Sequence, residues 1–164
     1  MLSYAFTNMV PDQEDEIAAE AFDNIHNLFA AILARGIGQQ LKQGLYREYL
    51  NRTEDMPVMR GKIDMPGTIK NRLARKQVLT CEYDELSENN LLNQILKTTV
   101  MLLIRHAKVD AEYKSDLKKE MLFFSEVDTI EPASIKWSTI RFQRSNQSYR
   151  MLICLCQFIL EGML

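Results

Sequence analysis

Residues 78–104 read VLTCEYDELSENNLLNQILKTTVMLLI, and within this stretch the hydrophobic period changes. From Val78 to Tyr83, Leu79, Cys81 and Tyr83 alternate with Thr80 and Glu82, the two-residue period of a half-buried strand. From Leu91 onward, Leu91, Leu92, Ile95, Leu96, Leu102 and Leu103 recur at helical spacing, with Ser87–Asn90 ahead of them as a source of caps. A strand ends here in a polar turn and gives way to a helix, and with a helical opening before the strand-rich middle and a helical close after it, the expected fold class is α+β.

Toward the N-terminus, Val58–Met65 alternates Met59, Gly61, Ile63 and Met65 against Arg60, Lys62 and Asp64 and reads as a second half-buried strand. Leu45–Leu50 mixes Leu and Tyr with charged residues, which places the start of another strand there. Before it, Ile17, Ala21, Phe22, Ile25, Leu28, Phe29, Ile32 and Leu33 mark one face of a helix over Gln13–Arg35. Asp12 is its expected N-cap, and Gly36, Gly38 and Gly44 are expected to loosen its C-terminal continuation.

Toward the C-terminus, Asp110 caps a helix carrying Tyr113, Leu117, Met121 and Phe124, and this helix should pack beside the one from Leu91. Pro132 breaks the pattern. Ile140 and Phe142 alternate with Arg141 and Gln143 as a short strand, and Tyr149–Leu160 forms a last helix ending near Gly162. Leu164 comes almost at once, as at a domain boundary. The expected organisation is helical over 1–44, strand-rich over 45–86 with a protruding antiparallel hairpin, and helical over 87–164.

Composition narrows the function classes. With 46% hydrophobic and 26% charged residues the chain can bury a core. Its 20 basic against 22 acidic residues create no global field toward nucleic acid or anionic membrane. Cys81, Cys154 and Cys156 are odd in number and contain no C-x-x-C pair, which argues against a disulfide framework and a zinc site and points to a reducing cytoplasm. The N-terminal stretch lacks the basic region of a secretory signal, and the apolar runs Thr98–Ile104 and Met151–Leu160 are too short to span a bilayer.

The chemistry of sites is sparse. His26 and His106 have no Cys or carboxylate at metal-ligand spacing, and no phosphate loop, dinucleotide fingerprint or nucleophile elbow occurs. Cys81 is flanked by Glu82 and Asp84, which disfavour a thiolate, so it reads as a packed strand cysteine. Asp116-Leu117-Lys118 has the acid-x-Lys spacing of metal-dependent nucleases but falls on an amphipathic helix and reads as a solvated face. No catalytic residue, metal site or cofactor is expected.

Charge, in contrast, is segregated along the chain. Arg60, Lys62, Lys70, Arg72, Arg75 and Lys76 face one acid, Asp64, and the acidic cluster Glu82, Asp84, Glu85 and Glu88 comes directly after them. Two strands bracket the basic segment, which places it on the hairpin. Charge alone fits a solvated tip or a finger docking on an acidic or phosphate-bearing partner.

Several segments taken together resemble the McrC family of 5-methylcytosine-specific restriction systems. They are Met1-Leu-Ser-Tyr-Ala-Phe6, Gly44-Leu-Tyr-Arg-Glu-Tyr49, Arg60-Gly-Lys-Ile-Asp64, Tyr83-Asp-Glu-Leu-Ser-Glu88, Asn93-Gln-Ile-Leu-Lys97 and Asn146-Gln-Ser-Tyr-Arg150, in family order over essentially the whole chain. The resemblance implies a region that binds the hexameric ring of the AAA+ GTPase subunit McrB and stimulates its GTP hydrolysis, with DNA met mainly through the complex. It also implies a C-terminal PD-(D/E)xK nuclease domain, but the acid-rich strand motif of that domain is missing from this sequence, so cleavage is not carried over. Family residues match directly at Arg60, Gly61, Lys62 and Ile63; Lys70, Arg72, Arg75 and Lys76 join the expected partner-binding set on charge alone. Tyr83, Asp84, Leu86 and Asn93 recur in the family pattern and are read as structural, Asp84 and Ser87 satisfying turn donors and Asn93 bonding backbone from inside the fold. A different reading is a stand-alone DNA-binding adaptor whose basic hairpin contacts phosphates.

Overall fold

A computed structural model describes residues 24–163. The predicted first helix lies outside the described residues up to position 23, as does its Asp12 cap. The first described helix, α1, runs Ile25–Gln43, past the expected end at Arg35, and is capped by Asn24, whose side chain accepts from the His26 amide. The glycines at 36 and 38 do not loosen it; the helix ends only at Gly44, whose φ of 87° takes the chain out of helical geometry. Further on come β1 (Glu48–Met56), β2 (Lys62–Ile63), α2 (Met65–Leu73), β3 (Leu79–Ser87), α3 (Leu91–Arg105), α4 (Ala111–Met121) and α5 (Arg150–Met163). The fold class is α+β, as expected, and the described chain separates into two compact units.

The larger unit holds residues 24–46 and 91–163. Its core joins Phe29, Ile32, Leu33 and Ile37 of α1 to Ile95, Leu96, Val100 and Leu103 of α3, Leu117 of α4, and Leu152, Ile153, Leu155, Ile159 and Leu160 of α5. Phe29, Ile32, Leu33, Ile95, Leu96, Leu103 and Leu117 are positions of the expected stripes, whereas Ile25 is 50% exposed, and α3 and α4 pack as expected. Phe124 completes the α4 stripe in a short 3-10 turn and is fully buried. Buried polar groups are paired across elements. Asn27 donates to the Asp110 carboxylate and accepts from the Asp110 amide, both at 2.9 Å, so Asp110 sits at the N-cap of α4 but spends its carboxylate on α1. Asn93 donates to the Tyr46 carbonyl at 2.9 Å, the interior backbone bond expected of it.

One expectation for this unit fails. Residues 140–143 are not a strand: a 3-10 turn covers Trp137–Thr139, and Ile140 and Phe142 lie half-buried against the helical core. An apolar surface beneath an irregular segment produces the same alternation as a ladder. α5 ends at Met163, near Gly162 as expected.

The smaller unit, residues 47–90, is an antiparallel sheet of order β1-β3-β2. β1 pairs along its whole length with β3, from Glu48 opposite Ser87 to Met56 opposite Leu79. The strand expected to start within 45–50 therefore begins at Glu48, and Leu45 belongs to the helical core instead. The strand expected over Val58–Met65 shrinks to Lys62–Ile63, opposite Glu82 and Cys81. Nor does a tight hairpin turn join β2 to β3; the connection is the helix α2. Its start signal is Asp64, which accepts from the Gly67 amide at 3.1 Å, with Pro66 in the first turn.

Candidate functional site

The smaller unit has little apolar interior. Cys81 and Tyr83 are its buried hydrophobic side chains, and the rest of its buried contact is polar. Thr80 donates to the Asp55 carboxylate at 2.6 Å, and the Asn71 amide donates to both Asp55 and Thr80 at 2.9 Å, tying α2 to β1 and β3. The Thr80 hydroxyl foremost, then Asn71, holds the Asp55 carboxyl below its ordinary value, with attraction to Lys76 and Lys70 adding to this. The space between helix and sheet admits nothing larger: a Cβ on Gly67 would stand 2.7 Å from Thr80 Oγ1. Thr80, assigned to the outer face by alternation, is buried because α2 covers it.

All six expected partner-binding cations fall in this unit and all six are exposed, though not on one turn. Arg60 precedes Gly61, whose φ is 67° and whose hydrogen faces β3 so closely that a Cβ would meet Glu82 O at 2.5 Å. That approach lays the Arg60 guanidinium over the Tyr83 ring, 4.1 Å from its centroid. The Tyr83 hydroxyl donates to Glu54 at 2.7 Å, and this bond is the main reason its pKa is raised. Tyr83 is therefore structural, as read from the sequence, and also positions Arg60. Lys62 lies on β2, while Lys70 and Arg72 lie on α2.

Arg75 and Lys76 close the helix. The Lys76 amide donates to Asn71 O at 2.8 Å and the Arg75 amide to Arg72 O at 3.0 Å. This is the paired C-terminal bonding that normally places glycine at the left-handed position. Here Arg75 occupies it with φ 60°, a conformation costing a non-glycine residue about 1 kcal/mol or more.

The segregation of charge persists in space. Three of the four acids of the cluster have partners in the same unit: Glu85 pairs with Arg52 at 2.6 Å, Glu88 with Arg47 at 3.4 Å, and Asp84 accepts from Asn51 at 3.2 Å. Among the described residues, no ion pair engages Arg60, Lys62, Lys70, Arg72, Arg75 or Lys76. Asp84 is thus a cross-strand partner rather than a turn acceptor, whereas Ser87 does accept from the Asn89 amide as expected. Leu86, read as structural, is 47% exposed.

Sequence reading missed the outer face of α2. Gly67, Thr68 and Asn71 turn toward β3, while Met65, Ile69 and Leu73, spaced i, i+4 and i+8, are 58%, 53% and 81% exposed. The helical spacing is visible in the sequence, but reading residues 58–65 as a strand hid it.

Elsewhere, Asp116 and Lys118 lie on the exposed face of α4 on either side of buried Leu117. Cys81 is buried, as expected of a strand cysteine. His26 and His106, distant in sequence, stack at 4.3 Å between ring centroids. Burial first, then His106 and Lys108, lowers the His26 pKa. Among the described residues no group of three or more His, Cys, Asp or Glu side chains is placed to hold a metal ion, and no helix is long and apolar enough to cross a membrane.

The described molecule is an α+β protein in which a helical unit carries the larger core and a smaller sheet unit carries six exposed cations without ion pairs among the described residues. The chain belongs to the family described as McrBC 5-methylcytosine restriction system component, whose profile matches residues 1–163. It is 24% identical over 162 residues to the type IV methyl-directed restriction enzyme EcoKMcrBC of Escherichia coli K12, a match covering 99% of this chain and 47% of that protein. The chain thus spans about half the length of this curated relative. Among solved structures, a chain of the Thermococcus gammatolerans McrBC complex superposes with a TM-score of 0.69 at 23% identity, over 93% of this chain and 49% of that one. A chain of the tetradecameric assembly of T. gammatolerans McrB AAA+ hexamers with bound McrC gives 0.67 at 25% identity, over 82% and 32%.

Proposed function

We propose that residues 1–164 are the partner-binding region of an McrC-like subunit, which docks on an McrB-like AAA+ GTPase ring through Arg60, Lys62, Lys70, Arg72, Arg75 and Lys76 and stimulates its GTP hydrolysis. The observation that carries this is the uneven pairing of charge: Glu85 and Glu88 are ion-paired and Asp84 is hydrogen-bonded within the smaller unit, while the six cations face outward without ion pairs. Unpaired, exposed cations steer association toward an acidic surface and give charge-assisted contacts there. Arg75 adds support, because a strained backbone under an arginine, where glycine would be relaxed, is the pattern of a side chain retained for contact. The solved complex of McrB hexamers with bound McrC is the precedent for such an assembly. In this reading DNA is met through the complex, and cutting resides elsewhere in it, since Asp116 and Lys118 lie on a helix face and not at a strand end.

The test is partner GTPase rate against added chain, for the parent and for Arg72→Glu with Arg75→Glu. Both side chains are exposed, so stability should change by only about ±0.5 kcal/mol. Stimulation should fall, and association should slow and lose salt dependence. Overlapping curves would end the role of these cations. Salt-sensitive binding of duplex DNA by the chain alone, lost in the same variant, would favour the adaptor reading instead.

A further inference from the structure

The helix α2 is inside out relative to an ordinary surface helix. Its inward side is Gly67, Thr68 and Asn71, and its outward side is Met65, Ile69 and Leu73 over two successive turns. Amphipathic helices bury the apolar stripe and solvate the polar one. Val58 and Met59 of the same unit are also exposed, at 72% and 59%. Contiguous exposed apolar surface with a polar border marks interaction sites, and here the border is cationic: Lys70 and Arg72 on the helix, Arg75 and Lys76 just after it.

We propose that the outward face of α2 is the anchor of a protein–protein contact, in which Met65, Ile69 and Leu73 fill an apolar groove rimmed by carboxylates on the AAA+ partner. This rests on the reading above and deepens it by dividing the work: the cations steer and orient, while the apolar triad supplies the affinity that survives high salt. Charge complementarity selects the occupant. A second copy of this chain, meeting the same face across a twofold axis, would set one cationic border against another. A phosphate backbone matches the cations but leaves Met65, Ile69 and Leu73 with nothing to displace water. A groove lined by apolar side chains and edged by Asp and Glu satisfies both components, in the manner of a helix seated in a hydrophobic groove.

The experiment compares the full chain with Ile69→Ser plus Leu73→Ser, and with Arg72→Glu plus Arg75→Glu, for binding to the McrB-like ring at low and high salt. The serine variant should weaken Kd by about tenfold to a hundredfold at both salts, as truncating a central apolar anchor does. The glutamate variant should weaken it chiefly at low salt. A serine variant that binds like the parent while the glutamate variant fails would overturn the apolar anchor and leave the proposed function standing. Failure of the parent to bind would instead remove that function. Thermal unfolding monitors fold integrity; if the double variant melts early, Leu73→Ser alone, at the most exposed of the three positions, replaces it. Binding of the parent to vesicles of phosphatidylcholine and phosphatidylserine that the serine variant loses would assign the face to a membrane. Parent self-association by sedimentation that the same variant abolishes would assign it to a second copy, and either result would overturn the proposal.

Discussion

The two units of this chain solve opposite problems. The helical unit packs apolar stripes from four helices into one interior, with Leu96, Leu103, Leu117 and Phe124 at 0% exposure. The sheet unit buries Cys81 and Tyr83, relies on the Asp55–Asn71–Thr80 network, and turns Met65, Ile69 and Leu73 outward. Burial of apolar area dominates folding, so the first unit invests its hydrophobic residues in its own stability. The second holds its shape by backbone ladders and polar bonds and leaves apolar side chains exposed.

That contrast predicts graded effects. The largest should come from Leu96→Ala or Leu103→Ala, each costing about 2–5 kcal/mol because the cavity lies where several helices converge. Chemical denaturation should show both variants losing the helical signal early; parent-like melting of either would mean the helical core is not the centre of stability.

A smaller and more local effect should come from Asn71→Ala. It removes the amide that joins α2 to Asp55 and Thr80, both left under-bonded, at a cost of about 1–3 kcal/mol. Hydrogen exchange should quicken in α2 and β3 while the amides of α3 and α5 stay protected. Equal quickening in both units would break the comparison, because it would show one cooperative structure.

The smallest effect should be a gain, confined to the helical unit. Glu120 lies against Gly38, its Oε2 buried and without a hydrogen-bond partner among the described residues. Burial, and then the nearby Asp116, pushes its carboxyl from the ordinary 4.5 up to about 8. The folded state therefore holds this proton while the unfolded chain has released it. Stability is full below pH 4.5 and declines as pH rises toward 8, where the folded state also ionises. Glu120→Gln should raise stability at pH 8 by about 1–2 kcal/mol, well below the full linkage value because the carboxyl retains some solvent. It should change little at pH 4.5. Melting curves at the two pH values check this, and an equal gain at both would trace the benefit to packing instead of charge.

Legibility divided along the same line. In the helical unit, the stripes on α1, α3, α4 and α5 are the buried faces because a 3.6-residue period admits few other arrangements once the chain is helical. Residues 140–143 misled because alternation reports only which side chains face an apolar surface, and a helical core supplies one as readily as a sheet does. In the sheet unit, β3 was legible and α2 was not. Its apolar residues face outward, so the stripe that normally identifies a helix merged with the alternation of the preceding segment, and only the Asp64–Pro66 start signal remained. The six cations were legible as a cluster, while their lack of ion pairs was not.

Local period, local composition and residue order thus sufficed for the α+β class, the helical faces, the strand at Leu79, the segregation of charge and the family resemblance. Folding in three dimensions was needed to establish that Glu85 pairs with Arg52 across β1 and β3 while the six cations form no ion pair among the described residues, that Arg60 rests on Tyr83, that His26 meets His106, and that α2 shows its apolar side to solvent. The physical reason is common to all four: each depends on which residues distant in the chain become neighbours, and neither the period nor the composition of a single segment encodes the surface that another segment will present to it.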